Sequence, residues 1–259
     1  MSDYNEIILH PDILKMFSEM EPVFKKFEIE FYLAGAFSRD IQFGLRQSKE
    51  KFRKTEDVDL AVFVNHENNY NELMEALVDT GLFERHEKEI IKLTYRSRIE
   101  IDLIPFGEIE NEKREVRLTK PKVFTLQMPG FLEVFPFVDT INSGDLTLKT
   151  CPIEGLIMLK LISWSDRTHR THDLTDIDNI IDAYFDWNVD EVFQFHYDIF
   201  EKYRDVEPAL WENIISAHII GRKMKLILES SPELKKRVLH ILNKRENHRW
   251  EGLRNGLTE

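Results

Sequence analysis

The chain has 259 residues but only one cysteine, no long apolar run and no excess of basic residues. The single Cys151 rules out an intramolecular disulfide and fits a reducing compartment. No apolar run approaches the length of a membrane span, and residues 1–6 have neither the basic nor the hydrophobic stretch of a signal peptide. We therefore expect a cytoplasmic protein without a membrane partner.

Basic residues are outnumbered by acidic ones, 35 to 47, which gives a net charge of −12. Broad binding to duplex DNA needs many Lys and Arg side chains to neutralise phosphates, so this balance argues against it. A local basic patch could still hold a nucleotide or an RNA end. With 42% apolar and 11% aromatic residues, the chain has enough apolar surface for a substantial core.

The first part of the chain alternates helical and strand patterns. The prediction comprises a helix over 10–27, a strand over 29–33, a short helix to 43, a strand over 57–64, a helix over 70–79, a hairpin of 90–95 and 99–104, and further strands between 105 and 150, including 123–126 and 132–138.

From Pro152 onward only helical periodicity remains. The turn residues Asn142-Ser143-Gly144-Asp145 precede this change, so we expect one domain over 1–145 and a second, helical domain over 146–259. The predicted helices of the second domain span 152–165, 172–185, 189–202, 208–228 and 232–247.

Two aspartates one residue apart, Asp57 and Asp59, are the most informative feature. Residues i and i+2 of a strand project from one face, so both carboxylates point the same way and Val58 and Leu60 point the other. Such neighbouring like charges repel, and a hard divalent cation such as Mg2+ relieves that repulsion. An isolated pair of this kind also fits two solvated acids, so the residues around the pair decide between a cation site and solvated acids.

A third acid, Asp102, lies in the second arm of the predicted hairpin, on the face opposite Ile101 and Leu103. Glu100 shares that face and could replace Asp102. We therefore expect three carboxylates in strand context, with Asp102 as the third.

A glycine turn precedes these acids in the chain. Gly35 lies where a predicted strand turns into a helix, and unpaired backbone amides at such a helix start favour a phosphate. Glycine allows close backbone approach, Ser38 offers a hydroxyl and Arg39 offers a charge. We expect Gly35, Ala36, Ser38 and Arg39 to bind a nucleotide, although an ordinary strand-to-helix turn also fits.

These motifs resemble those of the nucleotidyltransferase superfamily, which has a DNA polymerase β-like fold. Its pattern is a hydrophobic-Gly-[Gly/Ser] turn, an [Asp/Glu]-hydrophobic-[Asp/Glu] strand and a hydrophobic-flanked acid on a neighbouring strand. Here the matching segments are Leu33-Ala34-Gly35-Ala36, Asp57-Val58-Asp59 and Ile101-Asp102-Leu103. The string Lys54-Thr55-Glu56-Asp57-Val58-Asp59-Leu60 looks like the abortive-infection (AbiEii-type) nucleotidyltransferase toxins and their relatives.

A later stretch is similar to the same toxin group. Residues 151–160, ending in Lys160, and 170–177, containing Asp173, resemble a lysine-bearing helix followed by an Arg-x-x-Asp-Leu-x-Asp helix. The resemblance implies that Lys160 contacts the triphosphate or base and that Asp173 orders Lys160 or Arg170. Asp173 also fits a helix N-terminal acid that offsets the helix dipole. Residues 33–44 look superficially like tRNA 3′-end (CCA) adding enzymes, but the later stretch favours the toxin group.

The resemblance implies an α+β fold, with a mixed β-sheet flanked by helices in the first domain and a helical domain that completes the nucleotide cleft. It also implies catalysis on an NTP, with two Mg2+ ions held by Asp57, Asp59 and Asp102 and with Mn2+ able to substitute. Ala36 departs from the pattern, because it removes a hydroxyl donor that Ser at this position would supply. Ser38 could compensate.

The expected reaction moves an NMP from an NTP to a hydroxyl of an RNA, a protein or a small molecule and releases pyrophosphate. A toxin of this kind would have an antitoxin partner. An aminoglycoside-type antibiotic is the competing acceptor, because a cationic molecule suits an acidic chain. A third alternative is a nucleotide-binding or protein-interaction module that keeps the fold but has lost turnover, as Ala36 would allow. The sequence leaves the base, the acceptor and the oligomeric state open.

Overall fold

A computed structural model describes residues 9–46 and 57–259 of the chain. The protein divides into two compact units, Met1–Pro152 and Ile153–Glu259. The first unit combines strands and helices, and the second is helical. This architecture confirms the predicted α+β fold. No helix in the two described ranges has the length and hydropathy that a bilayer crossing requires.

The first unit contains nine strands and four helices in its described part. The strands are β1 (Phe31–Ala34), β2 (Asp57–Phe63), β3 (Phe83–Arg85), β4 (Lys92–Tyr95), β5 (Ile99–Phe106), β6 (Glu115–Leu118), β7 (Phe124–Gln127), β8 (Asp139–Ser143) and β9 (Leu146–Thr150), and the helices are α1 (Pro11–Lys26), α2 (Gly35–Leu45), α3 (Glu67–Asp79) and α4 (Phe131–Val134).

Seven of these strands form one mixed sheet in the order β3-β4-β5-β2-β1-β9-β8. β2 and β5 run parallel at its centre, β1 and β9 also pair in parallel, and the remaining neighbours are antiparallel. β6 and β7 form a separate two-stranded sheet. Because β9 pairs with β1, the unit ends after Pro152, later than the boundary at 145 expected from the sequence.

One face of the central sheet changes from acidic to aromatic along its strands. Three aromatic side chains share the face of the acids: Tyr32, Phe63 and Phe106. Each lies an even number of residues from the row of Ala34, Asp59 and Asp102 in its own strand. Phe135 packs against all three rings, with ring centroids 5.3 to 6.2 Å apart. The aromatic end of this face is therefore covered, and the carboxylates mark the other end.

The segment that covers the aromatic end was predicted wrongly as a strand over 132–138. It forms α4 followed by a 3-10 turn, Phe135–Phe137. Phe131 and Phe135, four residues apart, both contact the ring of Tyr32. Spacing of four places two side chains on one helix face, so helical structure brings both rings onto Tyr32, whereas a strand would separate them along the sheet.

The second unit contains seven helices, which pack around buried aliphatic residues. They are α5 (Ile153–Asp166), α6 (Thr171–Trp187), α7 (Val189–Phe195), α8 (Tyr197–Lys202), α9 (Pro208–Ile227), α10 (Pro232–Leu242) and α11 (His248–Thr258).

The boundaries of two predicted helices in this unit were wrong. The helix predicted over 189–202 is broken at His196, where the backbone leaves helical geometry and α7 ends. The helix predicted over 232–247 ends at Leu242, and a separate helix, α11, follows after the N-cap Asn247. Asn247 accepts a hydrogen bond from the Trp250 amide at 2.9 Å, which is a capping signal that the sequence already contained.

Candidate active site

Four neighbouring strands bring charged residues into one row. Asp59 of β2 is in register with Asp102 of β5 on one side and with Ala34 of β1 on the other. Asp102 is in turn paired with Lys92 of β4. The next row contains Asp57, Glu100 and Thr94, so the three predicted acids of the sheet share a face with Glu100 and Lys92. The opposite face of β2 is fully buried.

Gly35 begins α2 with a positive φ of 59°, directly after Ala34. A Cβ at this position would lie 1.8 Å from Oδ2 of Asp59, a distance that no side chain can occupy. The glycine therefore leaves room for the Asp59 carboxylate against the start of α2. The predicted turn and the predicted acid are in direct proximity, and the close approach at Gly35 is to Asp59.

Lys92 is the basic member of the row, and only 8% of its surface is exposed. Its Nζ donates a hydrogen bond to Glu100 Oε2 at 2.6 Å and lies 3.5 Å from Asp102 Oδ1. Burial lowers the pKa of Lys92, but the hydrogen bond to Glu100 and the charge of Asp102 outweigh burial, so the pKa is raised overall. The same hydrogen bond lowers the pKa of Glu100. Lys92 is therefore a cation within the acidic face.

Asp102 is less well satisfied than Glu100. Burial raises the pKa of Asp102, although the charge of Lys92 opposes that effect. Its Oδ1 atom is buried and receives no hydrogen bond from the described residues. The Lys92 ammonium at 3.5 Å is a loose ionic partner of this oxygen, and a cation bound closer would further offset the cost of burying it without a hydrogen bond. The atoms that could bind an ion here are all carboxylate oxygens, which suits a hard divalent cation.

The described residues do not hold a ready-made metal cage. Within 9–46 and 57–259, no three His, Cys, Asp or Glu side chains are gathered with the spacing of metal ligands. Mg2+ is commonly held by one or two carboxylates together with water and substrate phosphates. Asp57, Asp59 and Asp102 fit that mode of binding, because they are aligned on adjacent strands without enclosing an ion.

The other residues predicted at the turn lie in different surroundings. Ala36 is half-buried in the first turn of α2. Ser38 is fully buried, and its hydroxyl bonds Thr150 Oγ1 at 2.7 Å and the Cys151 carbonyl at 3.2 Å. Arg39 is also buried and donates to Asp40 at 2.6 and 2.9 Å. The structure thus places Gly35 beside Asp59, whereas the polar groups of Ser38 and Arg39 have partners within the fold.

Lys160 and Asp173 come together in the second unit. Lys160 of α5 is buried, and its Nζ lies 3.5 Å from Asp173 Oδ1 and 2.5 Å from Asp176 Oδ2 on α6. Arg170 Nε lies 3.7 Å from the other Asp173 oxygen. Asp173 and Asp176 are three residues apart, so they share one helix face toward the lysine. The predicted pairing of Asp173 with Lys160 therefore exists, with Asp176 as a closer partner.

Sequence reasoning missed the roles of Lys92 and Asp176, although both left signals. Residues 96–98 form the turn between the two arms of the predicted hairpin, and counting back from that turn pairs Tyr95 with Ile99 and therefore Lys92 with Asp102. Asp176 follows Asp173 at helical spacing in the string that carried the resemblance. Of that resemblance, Lys54, Thr55 and Glu56 lie outside the described residues.

A cavity of about 460 Å³ lies elsewhere in the second unit. Tyr197, Phe200 and Trp211 line it together with Glu201 and Arg204. None of the residues predicted for the active site is among the lining residues. The candidate site is therefore defined by the alignment of its side chains and not by this cavity.

Aligned strand carboxylates beside a glycine turn at the start of a helix are the arrangement that the nucleotidyltransferase resemblance predicted. The sequence profile of the nucleotidyl transferase AbiEii toxin family, of type IV toxin–antitoxin systems, matches residues 23–238. The chain belongs to this family and is a nucleotidyltransferase. This assignment confirms the resemblance drawn from the sequence motifs.

Several solved structures are similar to the chain at low identity. The solution structure of the antibiotic-resistance factor ANT(2'')-Ia is 11% identical over 92% of this chain and 94% of that chain, with a TM-score of 0.37. An antigenic nucleotidyltransferase-like protein from Paracoccidioides brasiliensis is 19% identical over 67% and 77% of the two chains, with a TM-score of 0.37. The apo form of a CCA-adding enzyme is 15% identical over 95% and 68%, with a TM-score of 0.36. No curated protein sequence matches the chain.

Proposed function

We propose that the chain is a toxin-type, Mg2+-dependent nucleotidyltransferase that moves an NMP from an NTP to a hydroxyl of a cellular macromolecule. The observation that carries this proposal is the register of Asp59 with Asp102 beside Gly35 at the start of α2. The membership of a toxin family supports an acceptor in the cell and an antitoxin partner that counteracts the enzyme.

In the proposed site, Asp57, Asp59 and Asp102 hold the divalent ions, with Mn2+ able to replace Mg2+. Bound ions would neutralise the phosphates and acidify the attacking hydroxyl. The amides at the start of α2 face the triphosphate, because the first turn of a helix has unpaired N–H groups and a favourable dipole. Catalysis then depends on positioning and charge neutralisation, and no nucleophilic side chain is needed.

The reaction is a single displacement at the α-phosphorus of the NTP. The acceptor oxygen forms a bond to that phosphorus while the bond to the oxygen bridging the α- and β-phosphates breaks. Pyrophosphate leaves with the electron pair of the broken bond, and the hydroxyl proton passes to water. We extend the proposal to Lys160 and Asp173 as nucleotide-binding residues of the helical region, since their buried ion cluster keeps an ammonium in fixed geometry.

Labelling tests this proposal directly. The wild-type chain is incubated with each α-labelled NTP, Mg2+ and a cell lysate, and the labelled product is identified. We expect Asp59→Asn to lower the transfer rate at least about 100-fold, because the phosphate charge then loses preorganised stabilisation. Asp145→Asn is the matched control, since the same change at an exposed turn residue of the same unit should leave transfer unchanged.

The identity of the labelled acceptor separates the alternatives. Label on RNA or protein, with growth arrest on expression, supports the toxin. If the label is found on an added aminoglycoside and expression gives drug resistance, the acceptor is a cationic small molecule and not a macromolecule. Such an acceptor suits the acidic chain. Transfer by Asp59→Asn within tenfold of wild type would overturn the site, and NTP binding without pyrophosphate release would indicate a module that has lost turnover.

A further inference from the structure

Lys92 is the one basic residue among the described residues in the two aligned rows of the acidic face, and it is nearly buried. Lysine is rarely buried without a charged partner, because removing an ammonium from water is costly. Its position in β4, in register with Asp102, sends its side chain to the same face as the acids. A lysine here is therefore held by the carboxylates around it.

The contacts of Lys92 are unequal. Its Nζ bonds Glu100 at 2.6 Å but approaches Asp102 only to 3.5 Å, and Glu89 lies 3.9 Å away. A distance of 2.6 Å is that of a short charge-assisted hydrogen bond, whereas 3.5 Å is a loose ion pair. The ammonium thus binds Glu100 tightly and leaves an oxygen of Asp102 without a hydrogen bond.

The unequal contacts of Lys92 matter because the carboxylate of Glu100 could otherwise bind a metal ion. It is in register with Asp57, just as Asp102 is in register with Asp59, and its side chain lies on the same face. The backbone alone does not distinguish the two acids. The distinction comes from the ammonium, which occupies the carboxylate of Glu100.

We propose that Lys92 is a positioning residue that holds Glu100 away from the metal ions and so makes Asp102 the third carboxylate ligand. This role rests on the metal site proposed above. The ammonium also balances part of the negative charge of the row, and it limits the affinity of the site for divalent cations.

Removing the ammonium should make cation binding tighter and catalysis worse. In Lys92→Met the side chain is shorter by one atom and stays unbranched, but the positive charge is lost and Glu100 is released. A single charge about 6 Å from a divalent ion, even in a water-like medium, changes affinity by about tenfold. We expect Mn2+ to bind about tenfold more tightly to this variant, while kcat falls because Glu100 replaces a water on the ion.

The test is a titration with Mn2+ alone, without nucleotide. Electron paramagnetic resonance measures free Mn2+, and water proton relaxation measures the number of waters on the bound ion. Lys92→Met should bind more tightly and lose one water. Glu100→Gln should bind more weakly, since Lys92 then pairs more closely with Asp102. The double variant Lys92→Met/Glu100→Gln should have the same number of bound waters as the wild type. Its Mn2+ affinity and kcat should be within about threefold of the wild-type values.

Two further variants separate this role from others. Lys92→Arg keeps the charge and should remain near the wild type. Lys88→Met, which removes an exposed ammonium nearby, controls for net charge and should not change the number of waters. Because Glu100→Gln and the double variant both keep Asp102 intact, the test does not depend on Lys92→Met alone being well folded.

The outcomes distinguish the two proposals. The metal site stands if the wild type binds Mn2+ and Asp59→Asn does not. In that case the role of Lys92 is still overturned if Lys92→Met leaves the number of bound waters unchanged, or if adding Glu100→Gln fails to reverse the effect of Lys92→Met. If wild type does not bind Mn2+, or Asp59→Asn binds it equally well, the metal site is overturned and the role of Lys92 with it.

Discussion

Within its described residues, each unit of the molecule contains one buried lysine between two acids, yet the two arrangements differ in charge balance. In the sheet, Lys92 contacts Glu100 and Asp102 from neighbouring strands. In the helical unit, Lys160 contacts Asp173 and Asp176 from one face of α6. About half of the Glu100 side chain is exposed, at 46%, whereas 9% of Asp173 and 14% of Asp176 are exposed.

The difference in balance has a functional meaning. Among the described residues of the sheet face, four carboxylates share two rows with a single ammonium. Around Lys160, two carboxylates face the ammonium, and Arg170 adds a second positive charge near Asp173. The helical cluster is therefore close to neutral, because its charges are paired with one another. The sheet cluster carries an excess of negative charge that suits cations supplied with a substrate.

The largest expected effect comes from replacing Gly35 with Ala. The new Cβ would collide with the Asp59 carboxylate and would occupy a backbone conformation that L-residues disfavour. We expect transfer activity to fall at least about 100-fold, because the carboxylate must leave its register partner Asp102. The measurement is the rate of NMP transfer, with circular dichroism to check the fold.

Gly144→Ala is the matched control for this change. Gly144 has almost the same φ, 58° against 59°, but a Cβ there would have nothing within 4 Å. It should cost about 1–2 kcal/mol of stability from the backbone alone and leave transfer unchanged. If Gly35→Ala and Gly144→Ala lose activity equally, strain in the backbone explains the effect. The position of Asp59 would then not be what the activity of the sheet cluster depends on.

The second prediction concerns the stability of the two lysine clusters. Lys160→Met leaves two nearly buried aspartates without their ammonium, and we expect the free energy of unfolding to fall by about 3 kcal/mol. Lys92→Met should lower it by only about 1 kcal/mol, because Glu100 can turn toward water. Urea denaturation of the full chain measures both values.

A triple variant sharpens this comparison. Adding Asp173→Asn and Asp176→Asn to Lys160→Met removes the buried charges together, so most of the lost stability should return. Equal destabilisation by Lys92→Met and Lys160→Met would contradict the contrast in burial on which the comparison rests. Failure of the triple variant to recover would show that Lys160 acts through packing and not through its charge.

The local part of the site was readable from the residues themselves, whereas the proximity of Asp102 to Asp59 was expected only from the family resemblance. The alternation of Asp57, Val58 and Asp59 places both acids on one face, and the structure has them so, in strand β2 with Val58 buried. That Asp59 lies beside Asp102 depends on the parallel pairing of β2 with β5, which brings together residues far apart in sequence. No local pattern fixes such a register.

The errors in the fold have the same origin. Residues 132–138 have a β-type pattern, but Phe135 and the preceding Phe131 both pack on the ring of Tyr32 from a helical segment. The nucleotide-binding role of Ser38 stays a prediction, but the pairing of β9 with β1 brings Thr150 within hydrogen-bond distance of its hydroxyl. In both cases a distant segment supplies a contact that no local pattern shows.

The smallest expected effect tests the charge balance of the helical unit with pH. Glu259 accepts a hydrogen bond from Arg222 Nε and contacts His218 at 2.9 Å, and these partners hold its pKa at about 2. A glutamate pKa that is lower in the folded than in the unfolded chain stabilises the fold above the unfolded value of about 4.3. That contribution is lost as the pH falls from about 4.3 toward 2.

Glu259→Gln should therefore lower the stability by about 1 kcal/mol at pH 7, and the difference from wild type should disappear by about pH 2. Glu233→Gln is the control, since its ion pair with Lys236 on α10 is largely exposed on both sides. Thermal melting between pH 2 and pH 7 measures both variants. A difference for Glu259→Gln that stays constant over this range would show that its carboxylate contributes packing rather than charge, and the helical unit would then not owe its stability to satisfied ion pairs.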